Sequence, residues 1–107
     1  MTYRKSPQKT AATRTWQSFV TSNAPLFEAA AIPPVVHSSI DHFDDFLSHG
    51  HLDHHEDPSN FRVDSLDARQ YEALVMLTES YFDAGYEWFT PLALRPADQD
   101  RLRHRFE

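Results

Sequence analysis

Six of the seven histidines fall between positions 37 and 55: His37, His42, His49, His51, His54 and His55. Acids are interleaved with them, at Asp41, Asp44, Asp45, Asp53, Glu56 and Asp57. Imidazole nitrogen with carboxylate oxygen is the ligand set of Zn²⁺, Ni²⁺, Mn²⁺ or Fe²⁺. If residues 40–49 are helical, His42, Asp45 and His49 stand at i, i+3 and i+7 and form one line. A loop folded back on that line would add His54, or His51 in its place. The candidate metal set is therefore His42, Asp45, His49 and His54, with zinc as the representative cofactor. None of these spacings reproduces a His-Glu-x-x-His pair, so the plainer alternative, a hydrated row of polar side chains, ranks above it. Either way, such a patch gains positive charge as pH falls towards about 6.

Other reactive chemistry is sparse. With no cysteine there is no thiolate or disulfide route. The two glycines, Gly50 and Gly85, each stand where a helix should end, so no glycine-rich phosphate loop is available. Ser38 and Ser39 beside His37 are better explained as helix caps than as nucleophiles. Glu72, Glu79 and Asp83 share a flank of one long helix, where surface acids facing Arg95, Arg101 or Arg105 are the simplest reading. Tyr86, Trp88 and Phe89 follow that helix; left exposed, they would make an apolar contact patch with the three acids beside it. No convergent catalytic set emerges, which leans away from an enzyme.

The elements that must position these residues are short. Trp16, Phe19 and Val20 have helical spacing. Ser22 or Asn23 can cap a second helix over Pro25–Ala31, which Pro33–Pro34 stops. Ser38 or Ser39 opens a third helix with an apolar stripe of Ile40, Phe43, Phe46 and Leu47 and an end at Gly50. Residues 51–60 read as a loop. Asp64 or Ser65 caps the longest helix, 65–84, whose wide arc of Leu66, Tyr71, Leu74, Val75, Leu77, Thr78, Tyr81 and Phe82 suits a central element touched on several sides. Met76 falls on its opposite face. Pro96 opens a last helix with acids early and arginines late, matching the helix dipole.

The expected fold is mainly α. It is a small single-domain bundle of four or five short helices around the 65–84 helix, covering 14–107 behind a flexible basic tail at 1–13. Two very short strands at 61–63 and 86–89 would turn it into an α+β domain. Eight Phe, four Tyr and two Trp offset a thin aliphatic complement, since each aromatic buries roughly 150–250 Å².

Charge narrows the function classes. Arg4, Lys5, Lys9 and Arg14 give the first fourteen residues +4, while the rest sets six arginines against sixteen carboxylates. Such a body repels a phosphate backbone, so nucleic acid is an unfavourable ligand and a basic protein surface a favourable one. No apolar run approaches the roughly 18 residues of a membrane span, and no apolar stretch follows the opening basic residues, which sets a cytoplasmic expectation. The leading expectation is a protein that acts through protein–protein contact, as an adaptor, an inhibitor or immunity-type partner, or an accessory subunit, with homodimerisation one remedy for a small core. The rivals are a metal-binding protein or metal-dependent enzyme centred on 42–55, and an acidic imitator of nucleic acid.

Overall fold

The computed structural model describes residues 16–51 and 62–107. The segment 1–13 read as a tail, and most of the 51–60 loop with His54, lie outside the described residues. Six helices appear among those described: α1 (16–22), α2 (Ala24–Ala29), α3 (Pro34–His37), α4 (Ile40–His49), α5 (Ala68–Asp83) and α6 (Pro96–Phe106), with a 3₁₀ turn at Val63–Ser65. The fold is mainly helical, as the periodicity predicts. Helix α5 packs against both α2 and α6, and α3 against α4.

Neither short strand forms among the described residues. Arg62 makes one antiparallel bridge with His51, after which the chain turns into the 3₁₀ turn. Residues 86–89 take no regular secondary structure, and Tyr86, Trp88 and Phe89 pack on Tyr81 and Phe82 of α5 instead.

Helix α5 starts three residues later than expected. Ser65 donates its hydroxyl to the Arg62 carbonyl and closes the 3₁₀ turn. The cap is Asp67: its carboxylate accepts the Gln70 N–H at 2.8 Å, and the Gln70 side-chain oxygen accepts the Asp67 N–H at 2.8 Å. This reciprocal Asp-x-x-Gln box satisfies two amides that no intrahelical carbonyl can reach, which is why it outcompetes the earlier Asp64 and Ser65. Gly85, with φ of 103°, ends the helix as expected. For α4, the Ser39 hydroxyl accepts the His42 N–H, and Gly50 terminates the helix at φ 85° with its N–H on the Phe46 carbonyl.

The α1–α3 region departs further. Asn23 does not cap α2 with its side chain; its amide nitrogen donates to the Phe19 carbonyl at the end of α1, at 2.9 Å. Pro34 was expected only to stop a helix, yet it opens α3 as a first-turn proline. The extended backbone imposed on Pro33 (ψ 156°) is also the geometry of a helix N-cap, so the same steric rule serves both purposes. Helix α2 ends in a Schellman arrangement, with Ala31 N–H on the Glu28 carbonyl and Ile32 N–H on the Phe27 carbonyl. The left-handed residue this requires is Ala31, at φ 58°.

The core is aromatic. Trp16 of α1 stacks near Phe19 and meets Phe27 of α2, Phe43 of α4 and Tyr81 of α5, with ring centroids 5.3–6.3 Å apart. Its indole N–H donates to the His37 carbonyl at 3.1 Å. Leu74, Leu77, Leu47, Val36 and Leu102 complete a fully buried aliphatic layer.

Ala31→Gly tests the α2 terminus. Relief of about 1–2 kcal/mol of left-handed strain exceeds the roughly 0.4–1 kcal/mol of extra unfolded-chain freedom. The expected net gain is about 0.5–1 kcal/mol, read as a raised denaturant midpoint at unchanged slope.

Candidate functional site

The histidine row splits. The His42 Nδ1 lies 3.0 Å from the Val35 carbonyl, which can only accept, so that nitrogen carries the proton and ties α4 back to α3; Ser38 Oγ is 3.1 Å from the same nitrogen. One and two turns on, the His49 Nδ1 lies 3.0 Å from an Asp45 carboxylate oxygen and 3.1 Å from the Asp45 carbonyl. The Asp45 carboxylate therefore orients an imidazole, leaving His49 Nε2 as the nitrogen with ligating capacity. The His51 ring sits 6.2 Å from that of His49. Among the described residues no three His, Asp or Glu side chains converge to hold a metal, and His54 lies outside them. His37 is apart from the row: its ring is 4.8 Å from Phe27, and burial lowers its proton affinity below the ordinary histidine value, against the opposing pull of a backbone hydrogen bond.

Asp44, one of the acids near the histidines, is buried at 3 % exposure and engaged by other groups. Its position carried the signal. It lies four residues after Ile40 and three before Leu47, inside the stripe that faces the core. A buried carboxylate needs partners, because its desolvation costs far more than a neutral side chain's.

Of the three acids on α5, Glu79 and Asp83 are used within the chain. A single Glu79 carboxylate oxygen accepts from Arg105 at 2.8 Å and Arg101 at 3.3 Å, Arg101 also reaches Asp98, and Arg105 lies 3.7 Å from Asp83. Glu72 is exposed beside a cavity of about 320 Å³ lined by Tyr71, Val75, Arg95, Asp98 and Arg101. Tyr71 is the latch of that region. Its hydroxyl donates to Asp98 at 2.7 Å and accepts the Arg95 N–H at 2.8 Å, while the Arg95 guanidinium covers its ring at 4.2 Å. The start of α6 is thus tied to the first turn of α5. Burial pushes the Tyr71 phenol up to about 12; the Arg95 N–H opposes this, and Asp98 adds to it.

The aromatic trio also divides. Tyr86 is 8 % exposed and stacks on Tyr81 at 4.5 Å and 10°, so it is core and has no surface to offer a partner. Trp88 and Phe89 are half-buried against Phe82, at 4.8 and 5.3 Å. Among the described residues the large apolar side chains that do face solvent are Met76, at 51 %, and Leu92, at 61 %. Met76 lies in a groove of about 200 Å³ floored by α5 residues Met76, Glu79, Ser80 and Asp83, with Leu26 of α2 and Arg105 of α6 as its walls. The spacing had placed Met76 outside the buried arc without revealing that two other helices flank it.

Two phenols give sharp tests. The folded chain keeps the Tyr71 proton between pH of about 10 and about 12, whereas the unfolded chain releases it near 10. Stability attributable to this group therefore falls as pH rises through that window. Tyr71→Phe should lower stability at neutral pH and flatten the alkaline decline, measured by denaturation at several pH values. The Tyr86 hydroxyl is buried without a hydrogen-bond partner among the described residues. Tyr86→Phe should therefore stabilise the fold by about 1–3 kcal/mol, the cost of an unsatisfied buried polar group, in the same assay.

Comparison of the chain with protein-family models, with curated proteins and with solved structures finds no match.

Proposed function

We propose that this is a small acidic protein acting through contact with another protein, as an adaptor, an inhibitor or immunity-type partner, or an accessory subunit, and that its partner presents a basic surface. The supporting observation is how charge is distributed over the helices. From Thr15 through Phe61 the sequence has no lysine or arginine, so α2, α3 and α4 carry Glu28, Asp41 and Asp45 and no lysine or arginine of their own. The arginines of α6 are drawn onto Glu79, Asp83, Asp98 and Asp100, which spends positive charge inside the α5–α6 pair. A surface of one sign steers an oppositely charged partner and speeds encounter.

Among the described residues no helix is long and apolar enough to cross a membrane. The metal reading has one observation behind it, the Asp45-oriented imidazole of His49, and lacks convergent ligands among the described residues. Imitation of nucleic acid rests on charge alone.

Immobilised protein exposed to cell extract should retain a protein of alkaline isoelectric point, and added salt should release it, because screening shortens the reach of surface charge to about 8 Å at physiological ionic strength. A Glu28→Lys, Glu72→Lys double variant, changed at two exposed positions, should retain markedly less of the same protein. Capture indifferent to both salt and charge reversal would overturn the reading.

A further inference from the structure

We propose that the groove between α2 and α6 binds a partner segment that pairs one apolar side chain with a lysine or arginine, the apolar group resting on Met76 and the cation taking over the acids now held by Arg105. This rests on the basic-partner reading above and assigns it a surface. The floor residues Met76, Glu79, Ser80 and Asp83 stand at i, i+3, i+4 and i+7, so they form one stripe about 10 Å long on the outward face of α5. The middle of the stripe is small, at Ser80, and a neighbouring backbone can approach there. Met76 is unbranched and polarisable, which suits a contact surface that must adapt to its occupant. Leu26 adds a second apolar wall from α2.

The chain itself shows which charge the groove accepts. Arg105 comes from the last turn of α6, places one guanidinium nitrogen 2.8 Å from Glu79 and the other 3.7 Å from Asp83, and remains 53 % exposed. An ion pair that open to water is held only weakly, so a partner's cation can replace it at little cost. The α2 wall brings no competing cation, since α2 contains neither lysine nor arginine. An acidic peptide would face Glu79 and Asp83 directly, and a wholly apolar one would leave them without the exchange. Charge complementarity therefore selects a basic amphipathic segment over a second copy of this acidic chain.

The methionines are only Met1 and Met76, so methyl-labelled methionine in the full chain gives one reporter inside the groove. The probe is an amphipathic helical peptide made solely of leucine and lysine, with a leucine–glutamate counterpart as control. The lysine peptide should shift the Met76 methyl resonance saturably, and the glutamate peptide should leave it in place. Asp83→Lys should weaken the lysine peptide by about tenfold, equivalent to about 1.4 kcal/mol, and Met76→Glu should abolish the apolar contribution, both in a chain whose dispersion of amide signals is unchanged. Saturable, salt-sensitive binding with a motionless Met76 methyl would overturn the groove and leave the basic-partner reading standing. No binding of the lysine peptide at low salt would overturn both. A Met76 shift that follows protein concentration alone, with doubled mass by light scattering, would identify a second copy as the occupant and overturn the proposal.

Discussion

The packing of Tyr81 is the constraint on which the rest of the molecule depends. Its ring lies 4.5 Å from Tyr86, 5.4 Å from Phe43 and from Phe82, and 6.0–6.3 Å from Phe19, Trp16 and Phe89. One side chain of α5 thereby touches α1, α4 and the 86–89 segment. Most of these pairs are tilted or edge-on, the arrangement in which an aromatic quadrupole gains about 0.5–1.5 kcal/mol beyond the area it buries. In a chain this short the aliphatic core alone is marginal. The aromatic cluster supplies the missing cohesion and explains how helices as brief as α2 and α3 stay folded: isolated helices of that length are not stable in water, and tertiary contact must hold them.

A second constraint sits at the end of α4. Terminal carbonyls of a helix need donors from elsewhere. Here Leu47 accepts from Ala93 N–H, Phe46 from Gly50 N–H, and the Gly50 carbonyl from Val63 N–H. Three parts of the chain distant in sequence are fixed at one point, and the His51–Arg62 bridge pins both feet of the intervening segment. Gly50 is required by its backbone, whose φ of 85° disfavours any side chain. The orientation of His49 relative to the rest of the domain is set by this junction as much as by the helix itself.

Much of this was legible in the sequence, for reasons that can be named. The α5 arc, the Ser39 and Gly50 ends of α4 and the first-turn Pro96 of α6 are local patterns, and local patterns survive folding. The α5 start was misplaced because Asp64, Ser65 and Asp67 are all competent caps; only Gln70, three residues beyond Asp67, singles out the last. Tyr86 falls in a candidate interface by sequence because a segment outside helices offers no periodicity from which burial can be read, and its stack on Tyr81 depends on where the chain returns after Gly85. Residue type alone says nothing of the burial of Asp44, which its position between Ile40 and Leu47 does indicate. The Tyr71–Asp98–Arg95 latch spans 27 residues in sequence, and no local pattern announces a phenol as a helix-to-helix tie.

The two faces of α5 follow opposite rules, and that contrast carries the functional argument. Inward, Thr78 can be fully buried because its hydroxyl donates to the Leu74 carbonyl at 2.7 Å, and every contact is fixed by close packing. Outward, the ion pairs of Glu79 and Asp83 with Arg101 and Arg105 are solvent-exposed and screened. They orient α6 without committing much free energy, since the Tyr71 latch and the burial of Leu102 already hold that helix in place. Charges that are not needed to keep the fold together can exchange partners while the fold stays intact. The proposed docking of a basic segment would use this property, substituting one ion pair for another with the scaffold beneath unchanged.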